Sequence, residues 1–164
     1  MNELDDLDEL EQLLTSDTHQ MRFRNRPDPV PADLRLPWRF AALTLVLTRC
    51  RGEAAGMEQL HLLLTAIRSP LIQQVLLRSL AGAARPNDVL IRNDPALART
   101  IKIADASGLV TIKSNGTVKL TARGRDLAKI VAEQPDALAR EKQFLDRLPA
   151  KITQKSFRDI LERA

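Results

Sequence analysis

The sequence predicts a mainly α-helical protein with one small β-hairpin. Three observations support this fold class: aromatic residues make up only 3% of the chain, apolar residues recur at helical spacing through most of it, and Asn115-Gly116 separates two short β-branched segments. A core with so few aromatic side chains must be built from Leu, Ile, Val and Ala, which favours helices over an aromatic-rich β-sandwich. At 164 residues the chain can bury such a core without a disulfide or a metal ion.

Residues 1–15 are predicted to form an acidic amphipathic helix. Its leucines recur at three- and four-residue steps, at Leu4, Leu7, Leu10 and Leu14, and carboxylates fill the positions between Glu3 and Glu11. Residues 1–17 contain seven Asp or Glu and no Lys or Arg, so the other residues must carry +11 to give the chain its net charge of +4. A helix this short needs a surface that covers its leucines, either on the protein's own body or on another chain.

Residues 16–36 are predicted to be a linker or arm. Pro27, Pro29 and Pro31 exclude a regular helix or a central strand there. Arginines alternate with other residues from Arg22 to Arg26, so an extended arm could follow phosphates or an acidic surface. A solvated linker is the more common explanation of such a segment.

The body is predicted to span residues 37–134 and to begin with three helices. Pro37 suits the start of a helix over residues 38–51, whose apolar middle indicates a buried central helix. A second helix covers residues 57–68, and Ser69-Pro70 provides the N-cap and first position of a third, which stops at Gly82. The core face of this third helix is predicted to consist of Leu71, Ile72, Val75, Leu76 and Leu80. A short strand is predicted at residues 89–91.

A helix, a hairpin and a closing helix follow. Asp94-Pro95 starts the helix by the same capping logic, and it stops at Gly108. Residues 109–112 and 117–120 are predicted strands, joined by Asn-Gly because both residues tolerate the positive φ of a tight turn. Thr121 then caps a helix whose apolar side is predicted to hold Leu127, Ile130 and Val131.

This order of elements, with the run Leu120-Thr121-Ala122-Arg123-Gly124-Arg125, resembles the C-terminal half of many bacterial winged-helix domains. The resemblance covers about forty residues and implies a winged-helix-like domain with extra helices at both chain ends. Proteins with this module bind DNA, other proteins, or both.

Basic residues outnumber acidic ones by seven to two over residues 98–130 of this region. Six are predicted to contact nucleic acid: Arg99, Lys102, Lys113, Lys119, Arg123 and Arg125. The helix over residues 95–107 would be the recognition helix, but it offers only Arg99, Thr100 and Lys102 as polar base readers. Contact with phosphates irrespective of sequence is therefore favoured over base reading. The alternative is that these are solvated charges on a protein-binding module.

Residues 135–164 are predicted to form two short amphipathic helices. The first covers residues 136–148 and carries Phe144 and Leu145; the second follows Thr153 and carries Phe157, Ile160 and Leu161. Such helices either fold back over the body or lie in a partner's groove. For the second case, the predicted partner-binding residues are Phe157, Ile160 and Leu161, together with the four N-terminal leucines.

The sequence predicts no catalytic, metal or cofactor site. Cys50 lies in an apolar run and is interpreted as a buried structural thiol, and His61 as a surface or helix-edge residue. Paired Cys and His spacings and glycine-rich phosphate loops are absent from the sequence. The longest apolar stretch, residues 40–47, is far short of the roughly 20 residues that span a bilayer. With no secretory signal pattern, a cytoplasmic location without membrane contact is expected.

A second resemblance rests on Trp38-Arg39-Phe40, an apolar helix ending near Arg49-Cys50-Arg51, and the stretch from Met57 to His61. With Phe144-Leu145 and residues 151–155, this layout resembles the small middle-component proteins of bacterial three-component ABC-ATPase systems, including the Lamassu type of antiphage defence. The resemblance covers most of residues 36–160. It implies a non-catalytic accessory subunit that bridges an SMC-like ATPase and an effector protein, with possible non-specific DNA contact.

Two other functions fit the same sequence. One is a winged-helix transcriptional regulator with a defined operator. The other, less favoured, is an inhibitor whose acidic first helix mimics phosphates.

Overall fold

The computed structural model describes residues 35–83, 94–149 and 151–153, together with Lys155 and Phe157. These residues are mainly helical and include one small antiparallel sheet, as the sequence predicts. The helices are α1 (Leu36–Arg49), α2 (Met57–Arg68), α3 (Pro70–Leu80), α4 (Pro95–Ala106), α5 (Ala122–Glu133) and α6 (Ala139–Asp146). The strands are β1 (Ala54–Ala55), which follows a 3₁₀ turn at Arg51–Glu53, β2 (Val110–Ile112) and β3 (Val118–Leu120). The predicted helix at residues 1–15, nearly all of the linker, and the strand at residues 89–91 lie outside the described residues.

Three of the predicted N-caps, Ser69, Asp94 and Thr121, are confirmed. The side chain of Ser69 accepts a hydrogen bond from the Ile72 amide at 3.5 Å, that of Asp94 from Ala96 at 2.9 Å, and that of Thr121 from Gly124 at 3.1 Å. Each bond satisfies a backbone donor that the first helical turn leaves without a partner. The starts of α3, α4 and α5 therefore follow from residues within three positions of each cap.

Helix α1 is the centre of the core. Its residues Ala42, Leu43, Val46 and Leu47 have no measurable exposure to solvent. The helix packs against α2, α4, α5 and α6, which surround it. Burying one such leucine or valine side chain contributes roughly 1.5–3 kcal/mol, so this apolar middle accounts for much of the stability.

The sheet has the strand order β1–β3–β2, and both pairings are antiparallel. On its inner face Val118 pairs with Ala55, and Leu120 pairs with Val110; all four side chains are buried. On the outer face Lys119 pairs with Thr111, and both are exposed. The sheet therefore presents one face to the core and the other to solvent.

The step from β3 into α5 is unusually close to the chain before β2. The Thr121 hydroxyl lies 2.6 Å from the Gly108 carbonyl oxygen, to which it donates, and the Thr121 amide donates to the Leu109 oxygen at 3.2 Å. A Cβ placed on Gly124 would lie 2.1 Å from the same Leu109 oxygen. The Leu-Thr-x-x-Gly run thus has a physical explanation: Thr caps α5 and ties it to the Gly108–Leu109 backbone, and Gly permits the contact.

The described C-terminal residues fold back over the body. Leu148, Ile152 and Phe157 are buried with the core, and Ile152 forms a parallel bridge with Cys50 at the end of α1. Arg49 makes an ion pair with Asp146 next to this bridge. Phe157, predicted to bind a partner, is only 3% exposed and therefore belongs to the protein's own core. Ile160 and Leu161, like the four N-terminal leucines, lie outside the described residues.

Several predicted boundaries and core positions are wrong. Helix α1 ends at Arg49 because Cys50 turns into extended backbone and bridges Ile152. Helix α6 is shorter than predicted, since Leu138 adopts a left-handed conformation just before it. Leu71 and Ile130 are 68% and 57% exposed. Each residue turns a helix by about 100°, so these two lie beside the buried stripe of their helices and not on it.

Cys50 is buried, as predicted. Its side chain is 1% exposed, and burial raises the pKa of the thiol to about 12. The thiol donates to the Val46 carbonyl oxygen at 3.4 Å. A thiol in this setting stays protonated at neutral pH and is a poor nucleophile.

Candidate nucleic-acid interface

The start of α4, the predicted recognition helix, is fixed by Asp94. Besides capping the helix, its carboxylate accepts a hydrogen bond from Arg39 of α1 at 3.2 Å and lies 3.6 Å from the guanidinium of Arg68 of α2. Burial acts to raise the pKa of Asp94, but the Ala96 amide, Arg39 and Arg68 outweigh it, so the pKa is lowered. One carboxylate therefore joins α4 to two helices of the core.

His61 takes part in the same junction, which corrects its interpretation as a surface or helix-edge residue. Its side chain is only 7% exposed, and Nδ1 accepts a hydrogen bond from the Asp94 amide at 3.3 Å. This geometry requires Nδ1 to be unprotonated. The histidine thus has a structural role in the contact between α2 and α4.

The exposed face of α4 carries two of the predicted contacts, Arg99 and Lys102. Thr100, counted as a base reader in the sequence, is 3% exposed, and its hydroxyl donates to the Ala96 carbonyl oxygen at 2.8 Å. It is therefore unavailable to a base edge. Asp105 shares the exposed face and accepts a hydrogen bond from the Ile112 amide at 3.3 Å, which joins the end of α4 to β2.

The hairpin carries Lys113 and Lys119, and both are exposed. Lys113 stands at the turn, where its amide donates to the Thr117 oxygen and its carbonyl accepts from the Gly116 amide, each at 2.9 Å. Lys119 lies in the middle of the outer sheet face, with Thr111 and Ala54 as its neighbours across the two pairings. The hairpin therefore holds one cation at its tip and one on its flank.

The first turn of α5 carries Arg123 and Arg125, which differ in their ion pairing. Arg125 makes an ion pair with Glu53 at 2.9 Å, and both side chains are partly exposed. Arg123 is exposed and has no ion pair with any described residue. Arg125 therefore has an intramolecular partner that a phosphate would have to displace, whereas Arg123 does not.

Two further cations lie next to the hairpin, and no sequence motif points to them. A groove of about 330 Å³ beside β1 is lined by Arg51, Ala54, Thr117, Ile152, Thr153 and Lys155. Lys119 adjoins this groove, because Ala54 is its partner across the pairing and Thr117 precedes it by two positions on β3. Arg51 and Lys155 are far apart in the sequence, and the bridge between Cys50 and Ile152 brings their segments together.

We define the cationic surface as the exposed cations of the hairpin, of the groove beside β1 and of the first turn of α5 that make no ion pair with a described residue: Arg51, Lys113, Lys119, Arg123 and Lys155. Exposed ammonium and guanidinium groups on such a surface can contact phosphate oxygens. Within the described ranges, no group of three or more His, Cys, Asp or Glu side chains could hold a metal ion. No helix in this part of the chain is long and apolar enough to cross a membrane.

Comparison with known proteins gives no relative from which a function could be transferred. No known protein family, curated protein or solved structure matches the chain.

Proposed function

We propose that the protein is a non-catalytic winged-helix subunit that contacts DNA phosphates without reading sequence. The observation that carries this proposal is the cationic surface around the hairpin, whose five residues are all exposed. The winged-helix assignment is supported by the hairpin that directly follows α4 and by β1, which extends the sheet along β3.

Contact with phosphates is favoured over base reading by what α4 exposes. Because Thr100 is buried, Arg99 and Lys102 are the only long polar side chains on the exposed face of α4 that can reach a groove of DNA. Asp105 lies on the same face and carries the opposite charge. Sequence-specific helices instead present several hydrogen-bonding side chains to base edges. Charges spread over a hairpin and two helices follow a backbone well but carry little sequence information.

The double substitution Lys113→Gln with Lys119→Gln tests the DNA contact. We expect it to weaken binding to unrelated duplexes by a similar factor, since both side chains would meet phosphates. Each lost phosphate contact reduces the slope of log K against log salt by about 1, so the slope should become shallower by about 2. Fluorescence anisotropy with two duplexes of different sequence, over a series of salt concentrations, measures both quantities.

Lys129→Gln is the matched control. Lys129 is an exposed cation of α5, but its ammonium lies 4.0 Å from Glu133, so its removal should leave the slope unchanged. Equal effects of the control and the double variant would contradict the assigned surface. A single preferred duplex, bound with a shallow salt dependence, would instead support a transcriptional regulator.

The proposal includes assembly. Following the resemblance to middle-component proteins, we propose that the protein bridges an SMC-like ATPase and an effector in a cytoplasmic antiphage complex, without a cofactor of its own. The exposed side chains of Ile112 and Ile130, at 40% and 57%, are the apolar contacts we propose for a partner. Co-expression with the products of its neighbouring genes should give a stable complex that contains an ATPase. A protein that remains monomeric in their presence would contradict this part of the proposal.

A further inference from the structure

A second groove lies on a part of the molecule that the cationic surface does not include. It has a volume of about 690 Å³ and lies between the start of α1, the junction of α2 with α3, and α6. Trp38, Ile67 and Pro70 supply its apolar lining, two glutamines supply polar groups, and the cations Arg68 and Arg140 outnumber the one carboxylate, Glu141. It therefore offers both an apolar surface and cations to one occupant.

An exposed leucine adjoins the lining in the sequence. Leu71 directly follows Pro70 of the lining and is 68% exposed, although the sequence pattern predicts it in the core. Trp38, Ile67 and Pro70 form the apolar part of the groove, which another segment could cover.

We propose that this groove binds residues 3–14 of the same chain, the acidic leucine-rich segment. The segment contains six carboxylates and a leucine at each of positions 4, 7, 10 and 14. Its leucines match the apolar lining of the groove, and its carboxylates match the cations. Arg140 has no ion pair with any described residue, whereas Arg68 is shared with Asp94.

The position of the groove favours the chain's own segment over other occupants. The described chain begins at Arg35, and Trp38 of the groove lies in the first turn of α1. Residues 15–35 can span at most roughly 70 Å, so the segment is held near the groove at an effective concentration in the millimolar range. Among the described residues the cationic surface around the hairpin is also positive, but the outer sheet face, with Ala54, Thr111 and Lys119, offers no comparable apolar cover for leucines.

Trp38 provides a direct test, because it is the only tryptophan of the chain and lies in the groove. In the full-length protein, Leu7→Gln with Leu10→Gln should expose the indole. We expect its emission to shift to longer wavelength and its quenching by acrylamide to rise. The pair Met21→Gln with Val30→Gln makes the same change in polarity within the linker and should leave both readings unchanged.

The proposed attraction between the carboxylates of the segment and the groove is tested separately with Arg140→Glu, which should also increase the quenching of Trp38. Arg147→Glu is its control, since Arg147 is exposed near the end of α6 but does not line the groove. Identical quenching in the parent and in the Leu7→Gln, Leu10→Gln variant would overturn the proposal. Quenching of the parent that falls as protein concentration rises would also overturn it, because a second copy would then be the occupant.

Discussion

Replacing Gly124 with Ala is expected to destabilise the protein by about 3 kcal/mol, at the upper end of the usual cost of overpacking. The added Cβ would lie 2.1 Å from the Leu109 carbonyl oxygen and 2.7 Å from a methyl group of Leu120. The leucine methyl group could move aside, but the carbonyl oxygen is held by the Thr121 amide at 3.2 Å. Helix α5 would therefore have to move away from the chain that precedes β2.

Denaturant unfolding of Gly124→Ala measures this cost. On helix propensity alone, Ala would stabilise α5 by up to about 1 kcal/mol, so the sign of the change separates the two effects. Gly116→Ala is the matched control, because Gly116 has a φ of +76° and nothing within 4 Å of an added Cβ. It should cost about 1 kcal/mol through backbone strain alone. If Gly124→Ala destabilised the protein no more than Gly116→Ala, the close contact between α5 and Leu109 would be contradicted.

Sequence reasoning succeeded where structure depends on a few neighbouring residues. The caps Ser69, Asp94 and Thr121 and the turn at Gly116 are local, since each bond joins residues at most three positions apart. The bounds of α2 were also predictable, because a buried stripe and a following N-cap define both ends. These signals are sufficient to predict a mainly helical protein with one hairpin.

The errors concern residues whose environment comes from distant parts of the chain. His61 is buried, and its ring accepts a hydrogen bond from the Asp94 amide, more than thirty positions away in the sequence. Leu71 is exposed because no described element covers that side of α3. Periodicity gives the apolar side of a helix, but the neighbours that cover it are decided by the tertiary fold.

In the candidate site, too, the features set by neighbouring residues could be predicted, and those set by distant parts of the chain could not. That its cations would be exposed could be predicted, because Lys and Arg are rarely buried without a partner. Two features could not be predicted: the ion pair of Arg125 with Glu53, and the presence of Arg51 and Lys155 beside Lys119. These residues are brought together by β1 and the C-terminal segment, which are distant in the sequence. The sequence therefore predicted the kind of surface but not its full membership.

Asp94→Ala is expected to cost about 2 kcal/mol, because it removes both an N-cap and a charged hydrogen-bond acceptor. The cap on α4 would be lost, and Arg39, whose side chain is only 12% exposed, would lose its ion-pair partner. Asp94→Asn separates these effects, since Asn caps a helix as well as Asp but carries no charge. It should cost about half as much. Equal losses in the two variants would show that the charge, and not the cap, carries the stabilisation.

The pH dependence of the Asn variant gives an independent check on the charge. Because the pKa of Asp94 in the folded state lies below its usual value of 3.8, the ionised carboxylate stabilises the folded protein above that pH. As the pH falls from 3.8 through the lowered pKa, this contribution is lost. The parent should therefore be more stable than Asp94→Asn at neutral pH, and the difference should shrink as the solution becomes more acidic. Urea unfolding of both proteins over this range measures the difference, and a gap that did not change with pH would show that Arg39 and Arg68 do not stabilise the folded state through this carboxylate's charge.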